Sequence, residues 1–579
     1  MKRLAENHVL GGDNFGAERS LNRQGFTLNR SIVTGGWHVQ AFDDSRGRSN
    51  LHFFENGRIN VIALGSIWLG RRFGKEALQA FVDRLDGERI FNTNEPSIYR
   101  PLTGAFILIV SDGEAVQVLN DRLGAIKLFM DRGINTLSTS FLSVAESQSE
   151  LTLNSQAARE YVLIEASHST DTIVKEITSL NAGEMIDLSR KVISRIWMPI
   201  REEPLPRYSR IEEAIEDIES DLTAHFRKIS SAYTSAAVAL SGGFDSRLVY
   251  ALCRKTGINV NLFVYGSSQS SDVKIATTIA EKEGVYINVV DKNKEAQQFK
   301  PMSSGAFMEA IDFFDGTPVD GAMDCGVDRE TRVRQTMSGD IVLNGGGGEI
   351  YRNFFRITSR PHSFHEICNC FYRQFPRQVF PDKSIEHEFY EHLIGSMADA
   401  IDFRGNYPTR IDNELVYALF RCGWWMNRNS SIASRLGPFM TPLMTASLVS
   451  KASVLPLAWK NSGRFESALI SKISPSLAKY PSAYGFTFSK GPGVAEKLTE
   501  ISDLIRMPLL RPRISEIGRK LRGLRNADNH EFNLDWVYSN KTEYLDGIIV
   551  RDALISDGAR ARMATLDAII SFLSIRLEW

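Results

Sequence analysis

Cysteine is scarce in this chain of 579 residues and is missing from its first 250 positions. The five cysteines include no C-x-x-C pair, and they stand at Cys253, Cys325, Cys368, Cys370 and Cys422. An odd number without paired spacing predicts neither a disulfide framework nor a zinc site. The ten histidines are also scattered without metal-ligand spacing.

Long apolar runs and an excess of one charge are missing as well. No stretch is long enough to span a bilayer, and residues 1–6 do not open a signal peptide. The formal net charge of −1 gives no electrostatic reason for binding nucleic acid or an acidic membrane. We therefore expect a soluble, cytoplasmic enzyme with neither of those partners.

What the chain has is the composition of an ordinary globular protein. Hydrophobic residues make up 43% of the sequence and charged residues 24%. A chain of 579 residues exceeds what one hydrophobic core serves, so two or three domains are expected.

The most informative stretch lies at residues 236–253. Residues 236–240 are small or apolar and predict a short buried strand, and residues 247–253 predict the opening of a helix. Between them, Ser241-Gly-Gly-Phe-Asp-Ser246 has two glycines where backbone can approach a ligand. A strand, a glycine turn and a helix N-terminus direct N–H groups and a positive dipole at one point, which predicts an anion site.

The side chains of this loop favour a nucleotide. Ser241 and Ser246 supply hydroxyl donors for phosphate oxygens, and Asp245 supplies a hard oxygen ligand for Mg²⁺. The loop does not fit the G-x-x-x-x-G-K-[ST] pattern of kinases and GTPases. It resembles the pyrophosphate loop of the N-type ATP pyrophosphatases, which cleave ATP between the α- and β-phosphates and adenylate a substrate. A glycine- and serine-rich turn without function is the alternative interpretation.

The first 195 residues predict an α+β unit with an antiparallel sheet. Strands are expected at 59–65, 105–110 and 115–119, and apolar spacing predicts a helix over 76–85. Similarity to one known family covers nearly the whole unit. The segments that resemble the glutaminase domain of asparagine synthetases, which has an Ntn-hydrolase-like fold, are 102–110, 120–127, 138–141 and 180–197.

Two departures from that family concern its chemistry. In the family, the residue after the initiator Met is a cysteine that attacks glutamine, whereas this chain has Lys2. The family's Asn-Gly-Glu segment, which grips glutamine, corresponds to Leu64-Gly65-Ser66. The comparison implies an inactive, degenerate class II glutamine amidotransferase-like domain. A Ser or Thr nucleophile is the alternative.

Three prolines within residues 198–206 predict a linker. We accordingly predict a first domain over 1–197, a linker over 198–210 and a second domain over 211–579. An amphipathic helix over 211–226 is expected to open the second domain.

Strands at 260–265, 285–290 and 341–343, with a helix over 272–283, predict a doubly wound parallel sheet in that domain. Its ligands are expected at the carboxyl ends of the strands. The resemblance identifies it with the adenine nucleotide α-hydrolase-like (PP-loop) synthetase fold with helical additions.

A second glycine cluster, Asn344-Gly-Gly-Gly-Gly-Glu349, follows the strand at 341–343. Four glycines are costly in conformational entropy and indicate backbone that lies against a flat or charged ligand. The asparagine synthetase family has Ser-Gly-Glu-Gly-x-Asp-Glu here. The resemblance implies that Glu349 takes the place of a metal-binding Asp, so that Asp245 and Glu349 would share Mg²⁺.

Further site residues follow from the resemblance. Those expected to contact ATP are Ala239, Leu240, Ser241, Gly242, Gly243, Asp245, Ser246, Val264, Asn344, Gly345 and Gly346. Gly346 replaces a Glu that contacts substrate in the family, or a Tyr in the β-lactam synthetases, and Tyr351 is a nearby catalytic candidate. The family's catalytic lysine is missing from residues 483–486. Lys490 is the candidate that replaces it, and a solvated surface lysine is the alternative.

The mechanism that the resemblance implies has two halves. A substrate carboxylate attacks the α-phosphorus of Mg-ATP to give an acyl-adenylate and pyrophosphate, and an amine then displaces AMP to form an amide. Family members that lack the cysteine, such as lasso-peptide cyclases and β-lactam synthetases, use an amine of the substrate itself.

We favour macrolactam cyclisation of a lasso-type peptide, which implies a carboxylate substrate and a leader-peptide protease or a precursor-binding partner. An amidotransferase that uses ammonia on a small carboxylate or sugar acid is the second hypothesis. A non-catalytic pseudoenzyme or assembly subunit is the third.

Two features are left open by the sequence. The basic stretch at 506–525 favours a solvated helix face over a surface for an acidic partner. Residues 424–429 mix aromatic and polar side chains, which fits core packing or an acceptor site.

Overall fold

The computed structural model describes residues 2–6, 15–85, 98–197, 205–296, 303–493, 544–554 and 556–577. Most of the expected linker and all of the basic stretch at 506–525 lie outside these residues. In the described chain, antiparallel sheets come first and a parallel sheet follows, which is a mixed α/β architecture. None of the helices described there is both long and apolar enough to cross a membrane.

Thirteen strands of the described chain form the two sheets of the N-terminal part. They are β1 (Lys2–Glu6), β2 (Phe26–Thr34), β3 (Trp37–Asp44), β4 (Leu51–Glu55), β5 (Asn60–Leu69), β6 (Arg72–Phe73), β7 (Leu102–Ser111), β8 (Val116–Asn120), β9 (Phe129–Asp131), β10 (Thr136–Ser138), β11 (Ile177–Ser179), β12 (Glu184–Asp187) and β13 (Val192–Arg195). The orders are β11-β9-β10-β1-β3-β2 and β13-β12-β8-β7-β5-β4, with β6 paired to β5. Pairing is antiparallel except where β1 runs parallel to β10 and β3.

Within the described residues, four α-helices accompany these sheets. They are α1 (Phe15–Arg23), α2 (Gly74–Arg84), α3 (Phe141–Ala145) and α4 (Ser155–Ile164). The three strands and the helix predicted for this region are confirmed as β5, β7, β8 and α2.

The sheets face each other across a common core. Trp37 of β3 and Ile107 of β7 belong to one buried cluster between them. Leu108, the next residue of β7, points to the opposite face of the sheet and joins Phe81 of α2 in a second cluster. Alternation with period two therefore gives β7 a buried residue on both faces.

The second part begins with α5 (Ile211–Ala232), which confirms the predicted amphipathic helix. A five-stranded sheet follows, made of β14 (Ser235–Ala239), β15 (Asn259–Tyr265), β16 (Ile287–Val290), β17 (Ile341–Leu343) and β18 (Phe439–Met440). The spatial order is β16-β15-β14-β17-β18, and every pair is parallel. In order of appearance this is 3-2-1-4-5, so the winding reverses between β14 and β17.

The remaining described α-helices belong to the second part of the chain. They are α6 (Phe244–Thr256), α7 (Ser271–Glu283), α8 (Lys292–Ala296), α9 (Ser304–Phe313), α10 (Val327–Ser338), α11 (Phe364–Phe371), α12 (Lys383–Ala400), α13 (Arg410–Leu415), α14 (Asn427–Ser434), α15 (Ala446–Ser453), α16 (Leu457–Lys460), α17 (Arg464–Ile473), α18 (Pro475–Ala478) and α19 (Asp557–Phe572).

A π-helix, Val416–Met426, runs directly between α13 and α14. Such a segment is rare in proteins and often marks a functional site. It contains Trp424, which is buried in the main hydrophobic cluster, so the aromatic residues at 424–425 contribute to core packing.

The two parts are joined through a buried aspartate. The Asp315 carboxylate, which is fully buried, accepts hydrogen bonds from Ser140 Oγ at 2.5 Å and from the Phe141 N–H at 2.9 Å. From the other side, Arg428 approaches Oδ2 at 3.1 Å and Arg435 approaches Oδ1 at 3.7 Å. One carboxylate thus connects the start of α3 with α14 and the residue after it.

Candidate functional site

The loop after β14 turns into α6 as the sequence predicts. Gly243 is the N-cap of α6 in an extended conformation, and no side chain caps this helix. The first N–H groups of α6 have no partner within the helix, which makes its N-terminus a donor site for an anion. The loop is braced from within, because the Ser241 N–H donates to Ser246 Oγ at 3.0 Å.

Asp272, in the first turn of α7, also braces this loop. Its Oδ1 accepts a hydrogen bond from the Gly242 N–H at 2.8 Å. The Gly243 N–H donates to Ser241 Oγ at 3.2 Å. The two glycine amides are therefore engaged with the protein, and the open donors of the loop lie one residue further on, at the start of α6.

The glycine cluster after β17 lies directly against Asp245. A Cβ atom at Gly348 would lie 1.9 Å from Asp245 Oδ1, and one at Gly345 would lie 3.0 Å from Asp245 Cβ. Neither position has room for a side chain. At least two of the four glycines are thus required by contact with the neighbouring loop of the protein.

The middle glycines have other neighbours. A Cβ at Gly346 would lie 2.9 Å from the sulfur of Met426, and one at Gly347 would lie 2.9 Å from Met444 Cβ. Gly347 also has φ +86°, which a residue with a side chain rarely adopts. The sequence analysis explained the four glycines by backbone that lies against a ligand. In the structure, each of the four also has a close neighbour within the protein.

Both loops start at the carboxyl ends of β14 and β17, which are neighbours in the sheet. This is the point where the winding reverses, and open α/β sheets bind their ligands there. The backbone expected to meet adenine lies along the same edge, because the Leu240 N–H donates to the Phe263 carbonyl at 2.8 Å and the Asn344 N–H to the Met440 carbonyl at 2.9 Å. Ala239 ends β14, and Val264 lies buried near the end of β15.

Arg352 lies at the centre of three carboxylates between these loops. Its guanidinium is 2.6 Å from Asp245 Oδ2, 3.2 Å from Glu349 Oε1 and 3.2 Å from Glu466 Oε2. Glu466 is fully buried, whereas Glu349 keeps 31% of its side chain exposed. Tyr417 of the π-helix donates to Glu349 Oε2 at 2.6 Å and fixes that side chain.

The acids respond to this environment. Desolvation, opposed by the Arg352 charge and supported by the Glu349 charge, raises the pKa of Asp245 to about 6. Burial and the nearby Asp245 charge hold the pKa of Glu466 well above its usual range. One guanidinium therefore faces Asp245, Glu349 and a third acid, Glu466, that is favoured in its neutral form.

The donors present fit Mg²⁺ in chemistry. The carboxylates of Asp245 and Glu349 are hard oxygen ligands, and both already converge on one cation, the Arg352 guanidinium. In the described part of the chain, no three His, Cys, Asp or Glu side chains form a ready-made metal cluster. Two protein carboxylates beside substrate phosphates are nevertheless how many proteins hold Mg²⁺.

A loop at 481–491 covers the first turn of α6. The Ala483 N–H donates to the Gly242 carbonyl at 3.0 Å. Phe244 of α6 stacks on Phe488 at 4.3 Å and on Tyr484 at 4.6 Å between ring centroids. Tyr484 Oη in turn accepts a hydrogen bond from Arg352 at 3.3 Å. The segment in which the sequence shows no lysine is thus the segment that Arg352 reaches.

The two predicted catalytic residues lie in different settings. Tyr351 is fully buried and donates to the Leu443 carbonyl at 3.1 Å, so its hydroxyl is engaged in the core. Lys490 is exposed at the end of the 481–491 loop. The structure thus brings Asp245, Glu349 and the two glycine loops together, whereas the Tyr351 hydroxyl is engaged by Leu443 and Lys490 lies at the surface.

Arg352, Glu466, Asp272 and Tyr417 were not predicted from the sequence. Arg352 has one readable signal, its i,i+3 spacing from Glu349. The other three belong to distant elements, and their positions depend on the tertiary fold.

A cavity of about 470 Å³ lies beside the glycine cluster, between β7 and α5. Its walls carry the basic residues Arg122 and Lys228 and the apolar residues Met440 and Met444. Met444 is also the residue that a Cβ at Gly347 would touch. The cavity therefore ends one side chain away from the glycine cluster, and its volume is in the range of small-ligand sites.

In the segment that corresponds to the family's glutamine-binding segment, Gly65 and Ser66 are hydrogen-bonded to other parts of the protein. Gly65 has φ +101°, and its N–H donates to the Asn50 carbonyl at 2.8 Å. Ser66 Oγ lies 2.8 Å from Tyr233 Oη in a buried contact with the second part of the chain. Lys2 is the first residue of β1.

Comparison with known protein families found no match, and comparison with curated proteins found none either. Among solved structures, glutamine phosphoribosylpyrophosphate amidotransferase from B. subtilis, complexed with ADP and GMP, matches with 10% identity and a TM-score of 0.17 over 50% of this chain and 66% of that chain. A structure described as the allosteric regulatory enzyme of purine biosynthesis matches with 11% identity and a TM-score of 0.18 over 48% and 62%. Each match takes in less than two thirds of the other chain. At these TM-scores the likeness establishes neither a shared fold nor a shared activity.

Proposed function

We propose that this chain is an ATP-dependent, AMP-forming carbon–nitrogen ligase that adenylates a substrate carboxylate and transfers it to an amine. One observation carries the proposal. The glycine loop Asn344–Gly348 after β17 packs against Asp245 of the loop Ser241–Ser246 after β14, at the point where the winding of the parallel sheet reverses. We further propose an Ntn-hydrolase-like first domain and a PP-loop second domain, separated at residues 198–210.

In this proposal the anion site binds the phosphates of ATP. The uncapped N-terminus of α6 supplies N–H donors and a positive dipole end, and Ser241 and Ser246 supply hydroxyl groups. Asp245 and Glu349 would hold Mg²⁺, which supplies Lewis-acid polarisation of the phosphate oxygens when bound. Adenine would lie on the backbone edge formed by Ala239, Leu240 and Val264.

Arg352 has the position and charge to stabilise the departing pyrophosphate. It lies between Asp245 and Glu349 and reaches Tyr484 in the 481–491 loop. The planar fork of the Arg352 guanidinium is well suited to pair with phosphate oxygens bound beside these acids. We therefore propose that Arg352, rather than Lys490, stabilises the negative charge that develops on the phosphates in the transition state.

The second half of the reaction needs an amine. No cysteine precedes Cys253, so we place the amine on the substrate itself, as in macrolactam formation within a peptide. The cavity beside Met444 supports this assignment, because it is large enough for a peptide side chain and its lining has Arg100, Arg122 and Lys228 against two acids, Asp121 and Asp221. Water would have to be excluded from the reacting centre, because it would hydrolyse the adenylate.

The test is exchange of radiolabelled pyrophosphate into ATP by the purified chain, with candidate carboxylates and trimmed peptides added in turn. We expect exchange that depends on one substrate and that falls at least about 100-fold in Asp245→Asn and Glu349→Gln. Glu55→Gln, which alters an exposed acid of β4, is the matched control and should retain exchange.

The remaining outcomes separate the other hypotheses. Exchange with a small carboxylate, followed by amide formation only when ammonium is added, would replace the peptide substrate by ammonia-dependent amidation. No exchange with any acid, together with failure to bind ATP, would overturn the ligase and favour the non-catalytic subunit.

Access of the substrate through the cavity is tested by Ala224→Trp, which we expect to abolish the dependence of exchange on substrate but to keep ATP binding. Ser231→Trp, on the same helix α5 but outside the cavity, is its control.

A further inference from the structure

A buried lysine lies in the N-terminal part, away from the glycine loops. Lys127 follows Gly124-Ala-Ile in the loop between β8 and β9, and only 5% of the residue is exposed. Its backbone N–H donates to Ser431 Oγ of α14 at 3.1 Å, which fixes the loop against the second part of the chain. The side chain is therefore held at the junction between the two parts.

The ammonium group of Lys127 meets an aromatic ring. Nζ lies 3.8 Å from the ring centroid of Trp424, in the π-helix. No acidic side chain of the described chain forms an ion pair with Nζ. Lys460 offers the contrast: it is equally buried, but its ammonium is paired with Glu414.

Nearby charges do not offset the effect of burial on the pKa of Lys127. Asp121 and Glu184 favour its protonated form from a distance, and the Arg428 guanidinium opposes it. Burial outweighs these contributions and lowers the pKa of Lys127 to about 7. A large fraction of the side chain is thus a neutral amine, which is nucleophilic, near neutral pH.

A cavity of about 50 Å³ adjoins this amine. Its lining includes Lys127, Trp424, Tyr161, Thr172 and Arg428. A single water needs about 10–15 Å³ of such volume, so the cavity has room for roughly three or four non-hydrogen atoms. The lining combines aromatic faces and hydroxyl groups with one guanidinium, that of Arg428, and one carboxylate, that of Asp171, so it can hold a small polar ligand.

We propose that Lys127 is a reversible carbamylation site for dissolved CO₂. The Nζ lone pair forms a bond to the CO₂ carbon, one C=O electron pair moves to oxygen, and an Nζ proton leaves to water. The product is a lysine carbamate, –NH–COO⁻, and no oxidant or reductant is needed. The reaction converts a buried neutral amine into an anion within a cavity that Arg428, itself paired with Asp315, also lines.

The size of the cavity favours CO₂ over larger electrophiles, because the cavity holds only a few atoms and CO₂ has three. Nearby charges act on a carbamate in both directions, because Arg428 stabilises an anion and Asp121 and Glu184 oppose it.

The test uses the full chain labelled with ¹⁵N at lysine Nζ and ¹³C-labelled bicarbonate at pH 8. We expect one ¹³C carbamate signal, split by its bond to ¹⁵N, that weakens at pH 6. It should be absent from Lys127→Met and retained in Lys472→Met, which alters an exposed lysine of α17. If Lys127→Met does not fold, Lys127→Arg replaces it, because a guanidinium keeps the cation over Trp424 and forms no carbamate.

Three results would overturn the proposal. One is a carbamate signal that survives in the Lys127 variants. Another is the absence of any ¹³C–¹⁵N signal in the folded wild-type chain. The third is labelling of Lys127 by propanal and cyanoborohydride without any carbamate from CO₂, which would make the residue an imine-forming site.

Discussion

At the scale of single residues, Arg352 is the cation on which three acids depend. Arg352→Gln would leave the fully buried Glu466 facing Asp245 without a shared positive charge. Removing one partner of a buried ion pair costs about 3–5 kcal/mol, and we expect a loss in the free energy of unfolding of that size. Urea denaturation measures it, with Arg30→Gln, which removes an exposed ion pair, as the control expected to change by less than about 1 kcal/mol.

A double variant shows whether the loss comes from the acid nearest to Arg352. Arg352→Gln/Asp245→Asn removes the cation together with the carboxylate that lies 2.6 Å from it, so it should recover part of the stability. A double variant that is no more stable than Arg352→Gln would contradict the central place of Arg352 in this cluster.

Lys127 gives stability a defined pH dependence. Its pKa is 10.5 in the unfolded chain and about 7 in the folded one, so between these values the unfolded chain binds more protons. The free energy of unfolding therefore rises with pH across this window, and the unfavourable contribution of Lys127 is fully present below pH 7. Between pH 7 and pH 10.5, the free energy of unfolding of the wild-type chain should rise by about 4 kcal/mol relative to that of Lys127→Met.

Chemical denaturation of both chains in bicarbonate-free buffer at several pH values checks this expectation. A difference between the two free energies that stays constant from pH 7 to pH 10.5 would mean that Lys127 is charged in the folded protein.

At the scale of elements, the glycine cluster and helix α12 give opposite expectations for the same substitution. Gly348→Ala places a Cβ 1.9 Å from Asp245 Oδ1, and overpacking of this kind costs about 1–3 kcal/mol. Gly395 lies inside α12 (Lys383–Ala400) with open space around it, so Gly395→Ala should stabilise by about 0.5–1 kcal/mol. Thermal unfolding distinguishes the two, and equal effects of the same sign would refute the close contact at Asp245.

The parts of the fold that could be predicted from the sequence are those with a local pattern of apolar residues. Strand β17 is predicted at its observed bounds, and α5 continues six residues beyond its predicted end at Phe226. Periodicity defines such elements because the burial that causes it is local. The order β16-β15-β14-β17-β18 is consistent with the predicted doubly wound sheet, although the pairing of β18 with β17 spans almost a hundred residues.

The candidate site is only partly readable for the same reason. The loops around Asp245 and Glu349 are contiguous motifs with known chemistry. The pairing of Arg352 with Glu466 joins residues more than a hundred positions apart, and no local pattern encodes it. The π-helix is also hidden, because Val416–Met426 is an apolar segment that fits an ordinary helix equally well.

At the scale of the whole molecule, we expect the Asp315 contacts to couple the unfolding of the two parts. Asp315→Ala would leave Arg428 and Arg435 buried without their shared acid, at a cost of about 3–5 kcal/mol. We expect the wild-type chain to unfold in one cooperative transition and Asp315→Ala to unfold in two. Urea denaturation followed by tryptophan fluorescence and by far-UV circular dichroism measures this, since the two signals weight the parts differently.

Asp557→Ala, which changes a partly exposed acid in the first turn of α19, is the control and should keep the single transition. Two separate transitions in the wild-type chain would show that the Asp315 contacts do not couple the parts.

The Asp315 junction also bears on how this chain can change over evolutionary time. Ser140, Asp315, Arg428 and Arg435 share one buried charge balance, so a substitution at one of them alters what the other three tolerate. A chimera that combined the first part of this chain with the second part of a diverged homologue would inherit an unmatched set. The two parts are therefore expected to be exchanged between lineages only as a pair.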